Sequence, residues 1–302
     1  PKTDGGKYLV GLPHLQQVYR CGASYLNDQC LTQPLSNSLL AAETKYLYDS
    51  PYNTIPQTGL VTARRTLLYF NNPDTYSDPS YADETLTYDT RGNLLSSTSY
   101  SEEGNSTTLA TTIARSTSFI YDTIYYTYVL TQTNALNQQT GFSYDYDLGL
   151  PTSITGPNGS QTTVSVDYDP FGRPEKLIRP GDDAQYPTME FSYHDTAQPY
   201  WIEAKQRIQD TQYAVSRRFY DGLGQLIQTQ NLDSGNVVVA NRSYSRYGEL
   251  ISQTMPYTQT VGSGYLTPLS GAPAVSFSYD ALGRQTTQTS PDGSTQQTVY
   301  ND

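Results

Sequence analysis

The feature that most constrains this chain is a six-residue corner that keeps returning. Tyr279-Asp280-Ala281-Leu282-Gly283-Arg284 leads into an alternating run from Gln285 to Ser290, then a Pro291-Asp292-Gly293 turn, then a second run from Ser294 to Tyr300. Two β-compatible runs separated by a Gly-containing turn specify a hairpin. The corner returns as Tyr168-Asp169-Pro170-Phe171-Gly172-Arg173 and as Tyr220-Asp221-Gly222-Leu223-Gly224-Gln225. Looser copies are Tyr88-Asp89-Thr90-Arg91-Gly92-Asn93, Tyr146-Asp147-Leu148-Gly149 and Tyr244-Ser245-Arg246-Tyr247-Gly248-Glu249, while Tyr48-Asp49 and Tyr121-Asp122 keep only the first two residues. Steps run from 21 residues (Tyr279 to Tyr300) to 35 (Tyr244 to Tyr279), as though loops were inserted into a constant frame. A short period with variable loops marks a repeat architecture.

Each residue type has a physical reason to be there. Gly92, Gly172, Gly224 and Gly283 stand where the chain reverses, and glycine alone adopts left-handed backbone at little steric cost. Asp89, Asp169, Asp221 and Asp280 can accept backbone N–H groups a few residues on and close the turn from within. The tyrosine offers a broad ring for packing and a hydroxyl for water or backbone. Arg91, Arg173 and Arg284 are placed to pair with acidic groups of neighbouring turns, where an exposed pair contributes about 0 to 1 kcal/mol and sets register more than stability.

The recurrence of Tyr-Asp-x-x-Gly-Arg with a Pro-Asp-Gly or Pro-Asn-Gly turn makes the chain resemble the Rhs or YD-repeat family from about Tyr48 onward, and Tyr8 to Tyr19 resembles the lead-in to the repeats of insecticidal toxin complex B components. The resemblance implies antiparallel hairpins wound into a large curved, spiralling sheet, part of a hollow shell around a polypeptide cargo. In relatives an aspartyl autoprotease follows the repeats; Asp169-Pro170-Phe171-Gly172 lacks the rest of that motif, and the activity is not carried over.

Composition agrees with a thin core. Leu, Ile, Val and Phe make up roughly a fifth of the chain, near the level of disordered proteins. Yet 29 Tyr, only 16% charged residues and pervasive alternation describe an ordered sheet wetted over much of its surface. A net charge of −11, with 18 basic residues among 29 acidic ones, argues against nucleic acid as a partner. No apolar run approaches the roughly 18 residues that cross a bilayer as a helix. Cys21 and Cys30 can form a local disulfide or stay as two thiols, and with no neighbouring His or second pair they are poor zinc ligands.

The expected organisation is all-β: one continuous array over 1–302, with degenerate lead-in strands over 1–83 and clearer repeats over 84–302, belonging to a longer protein because Tyr300-Asn301-Asp302 opens a further unit. Lys7 to Tyr19 reads as one strand, Ser38 to Lys45 as strand rather than helix, Pro73 to Asp83 as a surface excursion and Phe119 to Thr133, the richest apolar and aromatic segment, as well packed. Asn158-Gly159 reads as a two-residue hairpin turn, and Met255 to Pro273 as a long loop of the kind that binds things.

Candidate chemistry is sparse. His14 and His194 lie in no nucleophile or metal pattern, and there is no Gly-x-Ser-x-Gly elbow, P-loop or dinucleotide fingerprint. Asp145 with Asp147, and Asp167 with Asp169, would share a strand face, but the second of each is already assigned to a turn. The expectation is a protein that is not an enzyme, with no cofactor and no metal, secreted or at the cell surface. Its partners would be the rest of its own chain, an encapsulated polypeptide and further toxin-complex subunits. The competing reading is an extracellular adhesion or fibre module that holds glycans on exposed Tyr and Trp201. A hydrolase requires distant residues to converge on a pocket.

Overall fold

In the computed structural model, residues 2–4, 7–9, 11–20, 40–49, 58–72 and 75–300 are described, and they are β-structure throughout apart from turns and one 3-10 segment. Cys21 and Cys30 lie outside the described residues. The chain divides into two compact units, Pro1–Ser143 with Thr155–Pro157, and Tyr144–Ile154 with Asn158–Asp302.

The first unit begins with a small two-stranded sheet, β1 (Lys2–Asp4) against β2 (Lys7–Leu9). A meander follows: β3 (Leu15–Tyr19), β4 (Leu40–Tyr48), β5 (Val61–Asn72), β6 (Ser77–Tyr88), β7 (Leu94–Tyr100), β8 (Ala114–Tyr121), β9 (Val129–Thr133) and β10 (Gln139–Asp145). Each of these strands pairs antiparallel with the next. The expected single strand over Lys7 to Tyr19 is two, separated at Gly11 to His14, where Pro13 has no N–H for a ladder. Of the expected strand over Ser38 to Lys45, Leu40 to Lys45 form the start of β4, while Ser38 and Leu39 lie outside the described residues. Pro73 to Asp83 is not a surface excursion, because Ser77–Tyr88 is a full strand whose Tyr81 and Asp83 are buried. The Phe119 to Thr133 segment is not well packed either: Asp122 to Tyr128 forms a corner, and Ile120, Ile124 and Tyr125 are exposed.

The second unit is a meander of the same kind. Its strands are β11 (Leu150–Thr155), β12 (Val164–Tyr168), β13 (Pro174–Ile178), β14 (Met189–His194), β15 (Tyr200–Gln209), β16 (Gln212–Tyr220), β17 (Leu226–Asp233) and β18 (Asn236–Tyr244). β19 (Leu250–Thr254), β20 (Tyr257–Thr260), β21 (Ala274–Tyr279), β22 (Gln285–Thr289) and β23 (Thr295–Gln297) complete it. The sheet forks at β18, whose Asn236 to Val239 pair with β20 while Arg242 to Tyr244 pair with β19. β21 then continues on β19 alone. The expected Asn158-Gly159 hairpin is replaced by a 3-10 turn over Gly159–Thr162, since Asn158 has φ −86° and only Gly159 is left-handed.

Few apolar side chains are fully enclosed. Ala63 and Tyr81 in the first unit, and Phe219, Val237 and Val239 in the second, are within 1% of complete burial, and they share that depth with Gln228, Gln230 and Asp122. Burying one such apolar side chain contributes about 1.5 to 3 kcal/mol. So thin a set puts weight on pairing the buried polar groups, and among the described residues the side-chain oxygens of Gln230 and Gln259 are enclosed without a hydrogen-bond partner.

Candidate functional site

The corner is a three-residue hairpin loop closed by its own aspartate. At Asp169 the main chain makes two bonds, the N–H to Arg173 O at 2.9 Å and the C=O to Gly172 N–H at 2.9 Å, and Gly172 has φ +76°. This is a type I turn followed by a left-handed residue, whose extra residue shifts the ladder register between Asp167 and Tyr168. The Asp169 carboxylate accepts the N–H groups of Phe171 and Arg173, both at 2.9 Å. Asp89, Asp221 and Asp280 make the same pair of bonds to the residues two and four further on. Ser245 stands in for aspartate in its copy, with its hydroxyl accepting from Tyr247 and Glu249.

These bonds explain the acidity of the carboxyls. Burial alone would raise Asp169 and Asp89, but the N–H donors and the side chains of Arg173 and Asn93 outweigh it and hold both below the ordinary range. At Asp280 the Arg284 N–H is the largest influence, in the same direction. Asp122 holds a wider corner: it accepts from Ile124, Tyr125, Thr127 and Tyr128, which overcome its burial and lower it furthest.

The tyrosine joins one corner to the next. Its hydroxyl donates to the backbone carbonyl at the start of the strand leaving the preceding corner: Tyr88 to Val61 at 2.8 Å, Tyr121 to Leu94 at 3.1 Å, Tyr193 to Pro174 at 2.8 Å, Tyr244 to Leu226 at 3.0 Å, Tyr279 to Leu250 at 2.9 Å and Tyr300 to Gln285 at 3.0 Å. Tyr48 and Tyr168 do the same to Pro13 and Pro151. The motif tyrosine is therefore an inter-repeat clamp. Arg173 bridges its own Asp169 at 2.7 Å and Asp195 of the next corner at 2.5 Å while stacking on Tyr193, whereas Arg284 pairs with its own Asp280 and Arg91 lies over Tyr126.

One copy is shifted from where the sequence suggested. Asp145, not Asp147, accepts the N–H groups of Asp147 and Leu148, and Gly149 donates to Asp145 O. Tyr146 and Asp147 thus lie inside the loop, and Tyr144-Asp145 are the matching pair. Two Tyr-Asp pairs in tandem made the register ambiguous.

Sequence reasoning missed two straps, each formed by a long inter-repeat loop folded back over a polar patch of sheet. In the first unit, residues 101–113 lie on Arg65 and Asp83, cross-strand partners paired at 2.8 Å with side chains only 5% and 0% exposed. Arg65 donates to the carbonyls of Asn105 and Thr108, both at 2.8 Å, and the Asp83 carboxylate accepts Ala110 N–H at 2.8 Å. Gly104 exchanges both backbone bonds with Tyr81. Beneath, Tyr81 donates to Glu43 and accepts from Lys45. Burial alone would raise Glu43, but donors from Tyr81, Gln17 and Lys45 hold it below its ordinary value.

In the second unit, residues 261–272 lie on Arg217, Gln228 and Gln230. These donate to the carbonyls of Gly262 (2.7 Å), Leu266 (2.7 Å) and Gly264 (3.0 Å), and Leu266 N–H returns a bond to Gln228 Oε1 at 3.0 Å. Tyr265 packs edge-on against Phe219, the end of a cross-strand row running from His194 through Trp201. The Met255 to Pro273 stretch is thus β20 plus a packed strap rather than a free loop. The available signal was spacing: from Tyr88 onward, Tyr88 to Tyr121 and Tyr244 to Tyr279 are the long steps, and both hold a strap.

His14 bonds Tyr46 O, and His194 stacks on Trp201 with ring centres 3.5 Å apart. Among the described residues no three His, Cys, Asp or Glu side chains gather to hold a metal ion. No helix of the described residues is long and apolar enough to cross a membrane.

Comparison with known proteins comes down to the repeat and the fold. Residues 268–295 match the family described as RHS Repeat, a span containing the Tyr279 corner and the Pro291-Asp292-Gly293 turn. The chain is similar to the solved Photorhabdus luminescens Tc holotoxin pore carrying the mutation TccC3-D651A, with a TM-score of 0.63 and 14% identity over 99% of this chain and 21% of that one. It spans about a fifth of the length of that chain. A crystal structure titled TcdB2-TccC3-Cdc42 aligns at 14% identity over 82% of this chain and 17% of that one, with a TM-score of 0.31. No protein with a curated description matches. The chain carries the Rhs/YD repeat, and its all-β hairpin fold is the fold of that part of the Tc holotoxin.

Proposed function

We propose that this YD-repeat chain is a non-catalytic shell segment of a secreted toxin or effector, whose work is to enclose a polypeptide cargo until delivery. The observation that carries the reading is the fold likeness to a Tc holotoxin chain over 99% of the residues. The geometry supports a containing role. The clamp and corner bonds join hairpins to one another, which makes a wall whose stability grows with the number of repeats. Its partners are the rest of its own chain, the cargo and further toxin-complex subunits, and its place is extracellular.

The test uses the full-length protein that contains this segment. Limited proteolysis in native buffer should leave the region C-terminal to the repeats uncut, and the same region should be cut rapidly once guanidinium opens the repeats. Equal cutting in both conditions, together with a solid rod in electron microscopy, would overturn enclosure and favour an adhesion or fibre module.

A further inference from the structure

Among the described residues the inter-repeat clamp is missing at Tyr220. Tyr220 ends β16 as the other motif tyrosines end their strands, but its hydroxyl finds no carbonyl among the described residues and is not buried. The corner it should reach is irregular: Tyr193 is followed by Asp195 to Pro199, with no left-handed glycine, and the Asp195 carboxylate is turned to Arg173 instead of capping backbone. A groove opens at this fault, walled by Tyr193, Tyr200, Trp201, Ile202 and Tyr220, with Arg173 and Asp195 at its edge.

Charge and shape decide what fits. Asp169 and Asp195 share the single guanidinium of Arg173, so this corner of the rim carries an excess negative charge, while Arg218, the cross-strand partner of Ile202, stands on the neighbouring strand. The Asp195 side chain is 51% exposed, leaving part of its carboxylate open to a second cation. The walls are apolar, and the free Tyr220 oxygen can accept a hydrogen bond. Strand alternation turns the Trp201 ring, stacked between His194 at 3.5 Å and Phe219 at 5.4 Å, to the opposite face of the sheet from Tyr193, Tyr200, Ile202 and Tyr220, so the open π faces of the groove are those of the tyrosines. An apolar stem ending in a cation satisfies all of these: the stem lies on Ile202 and the rings, and the head meets Asp195, the Tyr220 oxygen and a π face.

We propose that this groove binds a basic side chain, lysine or arginine, of an extended polypeptide. The site would give the sheet a side-chain-specific foothold at a repeat where the clamp is missing. It stands on the groove alone and does not depend on enclosure.

Titrating the protein with N-acetyl-lysine N-methylamide at constant ionic strength should give a saturable binding heat in isothermal titration calorimetry. Half-saturation should fall roughly tenfold below that of the uncharged isostere N-acetyl-norleucine N-methylamide, a difference that direct pairing with a charged partner supplies. Asp195→Asn should remove most of that preference, and Tyr220→Phe should weaken lysine binding while keeping it. The lysine-to-norleucine contrast is read on the unmodified chain and needs neither variant to fold. Equal binding of the two amides, an unchanged preference in Asp195→Asn, a response to methyl glycosides in place of the cation, or no saturable response at all would each overturn the proposal.

Discussion

The two straps solve one problem with different chemistry. Each must satisfy the backbone of a loop that leaves solvent and lies on a sheet. The first does so with ions: Arg65 gives two N–H bonds to strap carbonyls only because Asp83 neutralises it and takes Ala110 N–H in return. The second relies chiefly on amides, since a glutamine carries donor and acceptor together and can pair with a peptide unit as another peptide would, as Gln228 does with Leu266. Arg217, paired with Glu203, adds a peripheral bond. The lesson is that a buried ion pair is an interdependent unit, whereas amides can be lost one at a time.

That contrast predicts a ranking. Asp83→Ala leaves Arg65 charged, buried and unpaired, and should destabilise the first unit by about 3 to 5 kcal/mol in urea unfolding. Arg65→Met with Asp83→Leu should recover much of the loss. If the double variant is as unstable as the single one, the pair is not the unit described here. Gly104→Ala comes next, because a Cβ there would sit 1.9 Å from Asp83 Oδ2 and 2.5 Å from Arg65 Nη2, atoms with nowhere to go. We expect about 1 to 3 kcal/mol and early proteolytic cutting within 101–113. Gln228→Leu should cost about 1 to 3 kcal/mol through the stranded Leu266 groups, with cutting confined to 261–272.

Acid should separate the straps without mutation. Glu43, under the first strap, has its folded-state pKa lowered, so its contribution is complete above the unfolded value of about 4.3 and is lost as pH falls through the folded value. The amides of the second strap do not titrate. Amide exchange followed from about pH 6 to about pH 3, a range that brackets that unfolded value, should therefore show the first strap loosening before the second, and the reverse order would refute the assignment. Gly262→Ala should have the smallest effect, under about 1 kcal/mol, since its Cβ would meet only the flexible end of Leu266 at 2.8 Å.

The repeat frame was legible because its determinants are local. Asp169, Gly172 and their counterparts act within five residues, so their spacing survives in sequence, and the alternating runs between them specify strands. The straps were not legible because Arg65 meets Thr108 across 43 positions and Gln228 meets Leu266 across 38, separations that leave no periodic trace. The first half of the Ser77–Tyr88 strand, up to Asp83, was missed for a related reason: Pro79 and the acidic residues suggest a loop, and only burial of Asp83 against Arg65 makes a strand favourable there. The shift from Asp147 to Asp145 is a smaller failure, since tandem Tyr-Asp pairs allow either register and hydrogen bonding selects one.

Residue-resolved amide exchange at the corners tests the central claim most directly. Phe171, Leu223 and Leu282 expose 82%, 83% and 74% of their surface, so nothing but the aspartate bond shields their N–H groups. If the Asp-closed corner is the unit from which the fold is built, these amides and those of Arg173, Gln225 and Arg284 exchange far more slowly than in an unstructured peptide, and Asp→Ala at one corner releases that corner first. Exchange at unstructured rates in the native protein would contradict the account.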